Sequence, residues 1–190
     1  MLLEKGVIVV TGNGKGKTTT ALGYVLRFLG NGKRVRMVQF LKGGGFSGEL
    51  FVEEYFADRF LISQFGGSCR FSEAIRNGTL KCQKCGECFR ESKNPANNWA
   101  GKAMQAAWQA LEQKYDVIVL DEVAHAVKNG LLALEELQTF LTKARGDALV
   151  ILTGRNMHEE IINSSDLATE CFAAKHPKDK GIDARRGIEY

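Results

Sequence analysis

The chain has 190 residues, of which 44% are hydrophobic and 25% are charged, and its formal net charge is +4. A chain of this length buries a sizeable core without disulfides, and its dispersed basic residues give no reason to expect a nucleic-acid partner, so we expect one domain over residues 1–190. No apolar run approaches the roughly 18 to 20 residues that cross a bilayer and no export signal is evident, so we expect a cytoplasmic protein without a membrane partner.

Short apolar runs rich in β-branched residues alternate with helical patterns along the whole chain. This alternation is typical of an α/β fold with a mostly parallel sheet and helices on both faces. The predicted strands cover residues 6–10, 34–40, 60–65, 116–120, 148–152 and 167–172. The predicted helices cover residues 17–29, 99–114, 132–144 and 159–162. We therefore expect a sheet of five or six strands.

A glycine-rich loop joins the first predicted strand to the first predicted helix. Backbone N–H groups at such a junction cradle phosphates, which favours a phosphate-binding loop over a surface turn and indicates a P-loop NTPase-like fold. We expect an exposed Lys17 to pair with phosphate oxygens and Thr18 to hold Mg²⁺. The usual pattern places its first glycine at position 11, where this chain has threonine. The predicted phosphate-binding residues are Thr11, Gly12, Asn13, Gly14, Lys15, Gly16, Lys17 and Thr18.

Two acidic residues, Asp121 and Glu122, follow the apolar strand predicted over residues 116–120. They fall at the carboxyl edge of the predicted sheet, which is where ligands bind in open α/β folds. One or both carboxylates can serve a Mg²⁺ ion bound to phosphates, and the alternative is an acidic helix cap. His125 follows in the same segment, and we expect it to pack instead of facing the site.

Residues 66–98 show no convincing periodicity, and we expect an inserted loop or small subdomain there. It contains Cys82, Cys85 and Cys88, and Cys69 is the natural fourth thiol. The Cys-x-x-Cys-Gly turn aims thiolates at one ion and suits Zn²⁺, although the spacing also occurs in ligands of iron–sulfur clusters. Free thiols or a redox pair are the alternative. Cys171, in the last predicted strand, is expected to be a core residue.

These motifs resemble those of the ATP:corrinoid adenosyltransferases found in bacterial cobalamin biosynthesis and salvage. The resemblance covers nearly the whole chain except the cysteine insertion, and it includes the loop with its off-register glycine. The similar segments are the loop from Thr11 to Thr19, Val38 to Gly43 with Gly48-Glu49, Val119 to Glu122, Leu152 to Arg155, and the tail from Lys175 to Tyr190.

The resemblance implies transfer of the 5′-deoxyadenosyl group of ATP to the Co(I) of a reduced corrinoid, with release of triphosphate. The catalytic residues would be Lys17, Thr18 and Glu122. Thr18 and the Glu122 carboxylate would hold Mg²⁺, and Asp121 would lie beside them at the metal. Because the family is dimeric, we expect a homodimer. An electron donor such as a flavoprotein would reduce the corrinoid to its Co(I) state.

The same resemblance suggests further contacts with the two substrates. Asn13 and the loop amides would bind the phosphates, Thr19 would belong to the nucleotide site, and Arg155 is a candidate for ATP contact. Relatives carry a Gly-Phe-Thr-Trp segment whose aromatic side chains keep the lower axial ligand off cobalt. This chain reads Gly67-Ser-Cys-Arg-Phe71 instead, and we expect Phe71 to retain part of that role.

Two other functions remain as alternatives. A P-loop NTPase or kinase would use the same loop for phosphoryl transfer to water or to an acceptor. A non-catalytic metal or redox sensor would depend on Cys82 and Cys85 and would leave the phosphate loop idle. Formation of ADP alone from ATP would indicate the first alternative. Loss of the output on replacement of Cys82 and Cys85, but not of Lys17, would indicate the second.

Overall fold

A computed structural model describes residues 5–83 and 85–190 of the chain, and it contains one six-stranded sheet. All neighbouring strands are parallel, in the order β3-β2-β4-β5-β1-β6. The predicted α/β sheet is therefore confirmed. The strands are β1 (Gly6–Thr11), β2 (Val35–Phe40), β3 (Phe60–Phe65), β4 (Val117–Asp121), β5 (Leu149–Thr153) and β6 (Leu167–Glu170).

Seven α-helices lie in the described residues. They are α1 (Lys17–Gly30), α2 (Ser72–Arg76), α3 (Glu87–Ser92), α4 (Trp99–Glu112), α5 (Val123–Lys128), α6 (Leu134–Ala144) and α7 (Glu159–Ser164). The sequence pattern missed α2, α3 and α5, because helices of five or six residues are too short to display a 3.6-residue period. None of the helices in these residues is long and apolar enough to cross a bilayer.

The sheet is buried on both faces because successive side chains of each central strand point in opposite directions. In β1, Val7 and Val9 pack with α4, α5 and α6, whereas Ile8 and Val10 pack with α1 on the other face. Full burial of each such side chain contributes about 1.5–3 kcal/mol to folding. This two-sided packing fixes the carboxyl ends of β1, β4 and β5, from which the site is built.

The edge strand β6 differs from the central strands because its four residues are exposed. It ends at Glu170, two residues earlier than predicted, so Cys171 lies just beyond the strand. Cys171 is partly buried and packs against the core on the α1 face. Its backbone accepts a hydrogen bond from the phosphate loop, which makes the end of β6 a support for that loop.

Candidate functional site

The phosphate loop leaves β1 in an arrangement that explains its off-register glycine. Thr11 is still part of β1, and its hydroxyl donates to the carbonyl of Gly154 over 2.9 Å, so this position needs no glycine. Gly12 has φ 99°, and a Cβ atom there would lie 2.5 Å from the carbonyl oxygen of Cys171. The N–H of Gly14 donates to that same carbonyl oxygen over 2.7 Å. The requirement for glycine therefore begins at position 12.

The loop leads directly into the first turn of α1 through Gly16, which has φ 102°. Asn13 and Lys15 in the loop and Thr19 in α1 are exposed, whereas Lys17 is buried. This junction places the N-terminal N–H groups of a 14-residue helix beside the loop, where they favour an anion.

Lys17 is buried, with only 6% of its surface exposed, so the expectation of an exposed lysine was wrong. Its ammonium donates to the carbonyl of Gly14 over 2.7 Å, which folds the side chain back along the loop. Burial lowers the pKa of Lys17, the Arg155 guanidinium lowers it further, and the Glu122 carboxylate opposes this shift. A phosphate anion would restore the favourable environment for the ammonium.

Asp121 is fully buried and lies at the centre of a hydrogen-bond network at the end of β4. Its Oδ1 accepts hydrogen bonds from the hydroxyls of Thr18 (2.9 Å) and Thr153 (2.6 Å). Its Oδ2 accepts from the Gln39 amide (3.0 Å) and the Lys42 ammonium (2.8 Å). Burial alone would raise the pKa of Asp121, but the charge of Lys42 and these hydrogen bonds lower it below its ordinary value.

The oxygen atoms at this edge fit the preference of Mg²⁺ for hydroxyl and carboxylate ligands. The Thr18 hydroxyl donates its proton to Asp121, so its lone pairs remain available to a cation. The Glu122 carboxylate is less engaged than that of Asp121, because its ion-pair contact, with Nδ1 of His125, is 3.8 Å long. Thr18 and Glu122 are therefore better placed than Asp121 to contact a cation, and Asp121 orients Thr18.

Three polar residues in this network were part of the similar segments, but no role was predicted for them. Gln39 at the end of β2 donates to Glu49 over 2.9 Å as well as to Asp121. Lys42 lies 3.8 Å from Glu49, and although burial would lower the pKa of Lys42, the charge of Asp121 raises it above its ordinary value. The signal in the sequence was Gln39, a polar residue between Val38 and Phe40 at the end of β2, because a polar side chain in an apolar strand end indicates a position facing a site.

Two cavities adjoin this network, with volumes of about 450 and 240 Å³. Thr18, Thr19 and the apolar face of α1 line the larger cavity. Gly67, Cys88 and Phe89 contribute to the smaller cavity. Residues from the glycine-rich turn after β2 and from the tail line both of them, namely Lys42, Glu49, Glu189 and Tyr190.

The tail reaches the site through two contacts. Glu189 forms an ion pair with Lys15 of the phosphate loop over 3.2 Å, and Arg185 holds the same carboxylate. The ring of Tyr190 packs edge-on against Phe46, with 5.4 Å between the ring centroids. The tail therefore connects the phosphate loop to the turn that follows β2.

The other predicted site residues lie farther along the same edge. Arg155 is exposed in the turn after β5, and its charge lowers the pKa of Lys17. Phe71 immediately precedes α2, and the guanidinium carbon of Arg70 lies 4.9 Å from its ring centroid. His125 is partly exposed, and burial lowers its pKa while Glu122 opposes that shift.

The cysteine segment carries free thiols. Cys69 and Cys88 are partly buried, whereas Cys82 and Cys85 are exposed. Across residues 5–83 and 85–190, no three His, Cys, Asp or Glu side chains already lie close enough to hold a metal ion. The tetrahedral thiolate arrangement expected from the spacing is thus not preformed.

Comparisons with known proteins point to one family. A model of the family described as ATP:corrinoid adenosyltransferase BtuR/CobO/CobP matches residues 4–190. Corrinoid adenosyltransferase CobA of Salmonella typhimurium is 35% identical over 98% of this chain and 87% of its own length. A corrinoid adenosyltransferase of Escherichia coli K12 is 33% identical with the same coverage, and one of Pseudomonas aeruginosa is 33% identical over 98% and 85%.

Among solved structures, the flagellar accessory protein FlaH of Methanocaldococcus jannaschii superposes with a TM-score of 0.49 at 13% identity. The superposition covers 88% of this chain and 70% of FlaH.

Proposed function

The chain belongs to the ATP:corrinoid adenosyltransferase family, and from this premise we propose how its residues perform ATP-dependent adenosylation of a corrinoid. The Co(I) of the reduced corrinoid attacks the 5′-carbon of ATP. A Co–C bond forms, the bond between C5′ and the triphosphate oxygen breaks, and triphosphate leaves with that electron pair. Cobalt is oxidised from Co(I) to Co(III) in the process.

The phosphate loop binds the triphosphate as a leaving group. Its backbone N–H groups, the N-terminus of α1 and the Lys17 ammonium surround the anion, and they stabilise the charge that develops as the C5′–O bond breaks. Asn13 and Lys15 lie exposed along the loop, from which they can reach phosphate oxygens. Arg155 supplies a further cation at the edge of this site.

Thr18 and Glu122 would hold Mg²⁺ beside the loop, with Asp121 orienting Thr18. When bound, the ion neutralises part of the negative charge of the triphosphate. The protein's own contribution is the Thr18–Asp121 hydrogen bond of 2.9 Å, which fixes the direction of the hydroxyl lone pairs.

The observation that carries the proposal is that two cavities share a wall beside the hydrogen-bond network of Asp121. The larger cavity begins at Thr18 and Thr19, which suits a nucleoside joined to the triphosphate. The smaller cavity opens next to it, and Lys42 and Tyr190 line both. We place the reacting 5′-carbon near this shared wall, where a second substrate can approach without crossing the phosphates. A corrinoid is far larger than the smaller cavity, so only part of it would enter.

The reaction products test the function directly. Incubation with ATP, Mg²⁺ and chemically reduced cob(I)alamin is expected to yield equal amounts of adenosylcobalamin and triphosphate. The control omits the corrinoid and is expected to yield neither product. Formation of ADP without alkylated corrinoid would instead support the phosphoryl-transfer alternative.

We further propose that the protein works as a homodimer and that an electron donor such as a flavoprotein reduces the corrinoid to its Co(I) state. Exposed apolar side chains such as Leu61 (37% exposed) and Leu167 (40%) are available for subunit contact. Light scattering is expected to give twice the 21.0 kDa mass of the chain. A mass of one chain at micromolar concentration would contradict the dimer.

A further inference from the structure

The cysteine segment, residues 66–98, contains two stretches of chain that contact each other closely. The first follows β3 and contains Gly67 and Cys69, and the second is helix α3, whose first turn contains Cys88. A Cβ atom on Gly67 would lie 2.5 Å from the carbonyl oxygen of Cys88, so only glycine allows this approach. Arg70 and Glu87 form an ion pair across the same contact, with 3.3 Å between their charged atoms. The fold thus holds the stretch that contains Cys69 against the first turn of α3, which contains Cys88.

Cys82 and Cys85 precede the same helix in the sequence. Cys85 is followed by Gly86, whose φ of 74° lies in the left-handed region, and the carbonyl of Gly86 accepts the first helical hydrogen bond from Arg90 over 2.9 Å. The Cys-x-x-Cys-Gly spacing is typical of paired zinc thiolates, and its glycine has here a conformation that favours glycine.

We propose that one Zn²⁺ ion joins the segment after β3 to helix α3, bound by Cys69, Cys82, Cys85 and Cys88. Four thiolates in tetrahedral geometry make a closed structural zinc site. The ion replaces the protons of the thiols as it binds, with no oxidation or reduction.

Ser92 follows the cysteine run on helix α3 but does not compete for the ion. Its hydroxyl is committed to the backbone, because it donates to the carbonyl of Cys88 over 2.7 Å and accepts from the N–H of Gly67 over 2.8 Å. Cys69, two residues after Gly67, is therefore the thiol available as the fourth ligand.

The zinc site would stiffen a wall of the smaller cavity. Gly67 and Cys88 line that cavity, together with Phe89. This consequence rests on the proposed function, and it predicts that loss of zinc raises the KM for the corrinoid severalfold while the KM for ATP changes little. The metal site itself does not depend on that function, because it is measured on the resting protein.

Metal content tests the proposal on the full chain, purified anaerobically without chelators. Elemental analysis is expected to find about one zinc per chain in the native protein and in Cys171→Ser, a matched control whose thiol lies outside the cluster. The Cys82→Ser/Cys85→Ser variant is expected to lose the metal. Zinc retained by this double variant would overturn the ligand assignment.

A second measurement needs no variant and so does not depend on whether the double variant folds. Replacement of the metal by Co²⁺ is expected to give thiolate-to-cobalt charge transfer in the near ultraviolet and intense tetrahedral bands in the visible. Iron with acid-labile sulfide in the native protein would overturn zinc. Native protein that contains no metal and binds neither Zn²⁺ nor Co²⁺ would overturn the site altogether.

Discussion

The two sides of the site are built in different ways. On the phosphate side, Asp121 and Thr153 are completely buried at the ends of central strands, and short hydrogen bonds fix their positions. On the side of the smaller cavity, the wall consists of a glycine-rich turn, the cysteine segment and the tail, with partly exposed residues such as Phe89. We call the first the rigid side, because buried hydrogen bonds fix it. We call the second the adjustable side, because exposed segments with few buried contacts open locally at low cost.

The strongest test of this contrast is Lys17→Ala, on the rigid side. Turnover is expected to fall by about 10²–10³-fold, because a preorganised cation directed at the leaving group is lost. The measurement is kcat for adenosylcobalamin formation at saturating ATP. The matched control is Lys15→Ala, which removes an exposed lysine from the same loop and should cause a much smaller loss. Equal losses of kcat in the two variants would show that turnover depends on the positive charge of the loop and not on the buried position of Lys17.

Asp121→Asn is expected to have the next largest effect, on stability. The variant leaves the Lys42 ammonium without its carboxylate, and breaking a buried pair of this kind costs about 2–4 kcal/mol when one partner is partly exposed. Urea unfolding at neutral pH measures the loss. Asp147→Asn, at an exposed position, is the control and should change the free energy of unfolding by less than about 0.5 kcal/mol.

The pH dependence of unfolding gives an independent check on Asp121. Its pKa is lowered in the folded protein, so its stabilising contribution is present above the unfolded value of about 3.9 and is lost as the pH falls through the folded value. The native protein should therefore lose free energy of unfolding below about pH 4. The Asp121→Asn variant should lose less over the same range, and parallel curves would contradict the role of this carboxylate.

The rigid side was also the side that the sequence predicted well. Strands such as β1 are buried on both faces, so their apolar runs are unambiguous, and the loop and acidic pair follow directly from the strand ends. Thr11 shows the limit of a motif, because the need for glycine is set by contact with Cys171, which is distant in sequence. Likewise, the burial of Lys17 depends on tertiary packing that a loop pattern does not contain.

The adjustable side was predicted poorly for physical reasons. Helices α2 and α3 have five and six residues, too few to display an amphipathic period, and α3 is positioned by the approach of Gly67 to Cys88. The participation of Tyr190 depends on how the tail returns across the sheet edge, which local patterns do not encode. The sequence indicated Tyr190 only through the resemblance of the tail, from Lys175 to Tyr190, to the corresponding segment of the family.

On the adjustable side, Tyr190→Ala is expected to raise the KM for the corrinoid by about two- to tenfold with a smaller change in kcat. The reason is the loss of its edge-on contact with Phe46, since aromatic pairs contribute about 0.5–1.5 kcal/mol beyond their buried area. Steady-state kinetics with each substrate varied in turn measures the effect. Tyr55→Ala removes a tyrosine that is 77% exposed and should leave both KM values unchanged. A loss confined to kcat would move Tyr190 to the rigid side.

The smallest expected effect tests the link between the two sides, the ion pair of Glu189 with Lys15. The pKa of Glu189 is lowered to about 2 by hydrogen bonds from Arg185, so its carboxylate is charged at any working pH and competes with the triphosphate for Lys15. Glu189→Gln should therefore lower the KM for ATP modestly, and the difference should shrink as salt screens exposed charges. Lys15→Ala should raise the same KM. If Glu189→Gln raises it instead, Glu189 supports the nucleotide site, and the tail belongs with the rigid side of the molecule.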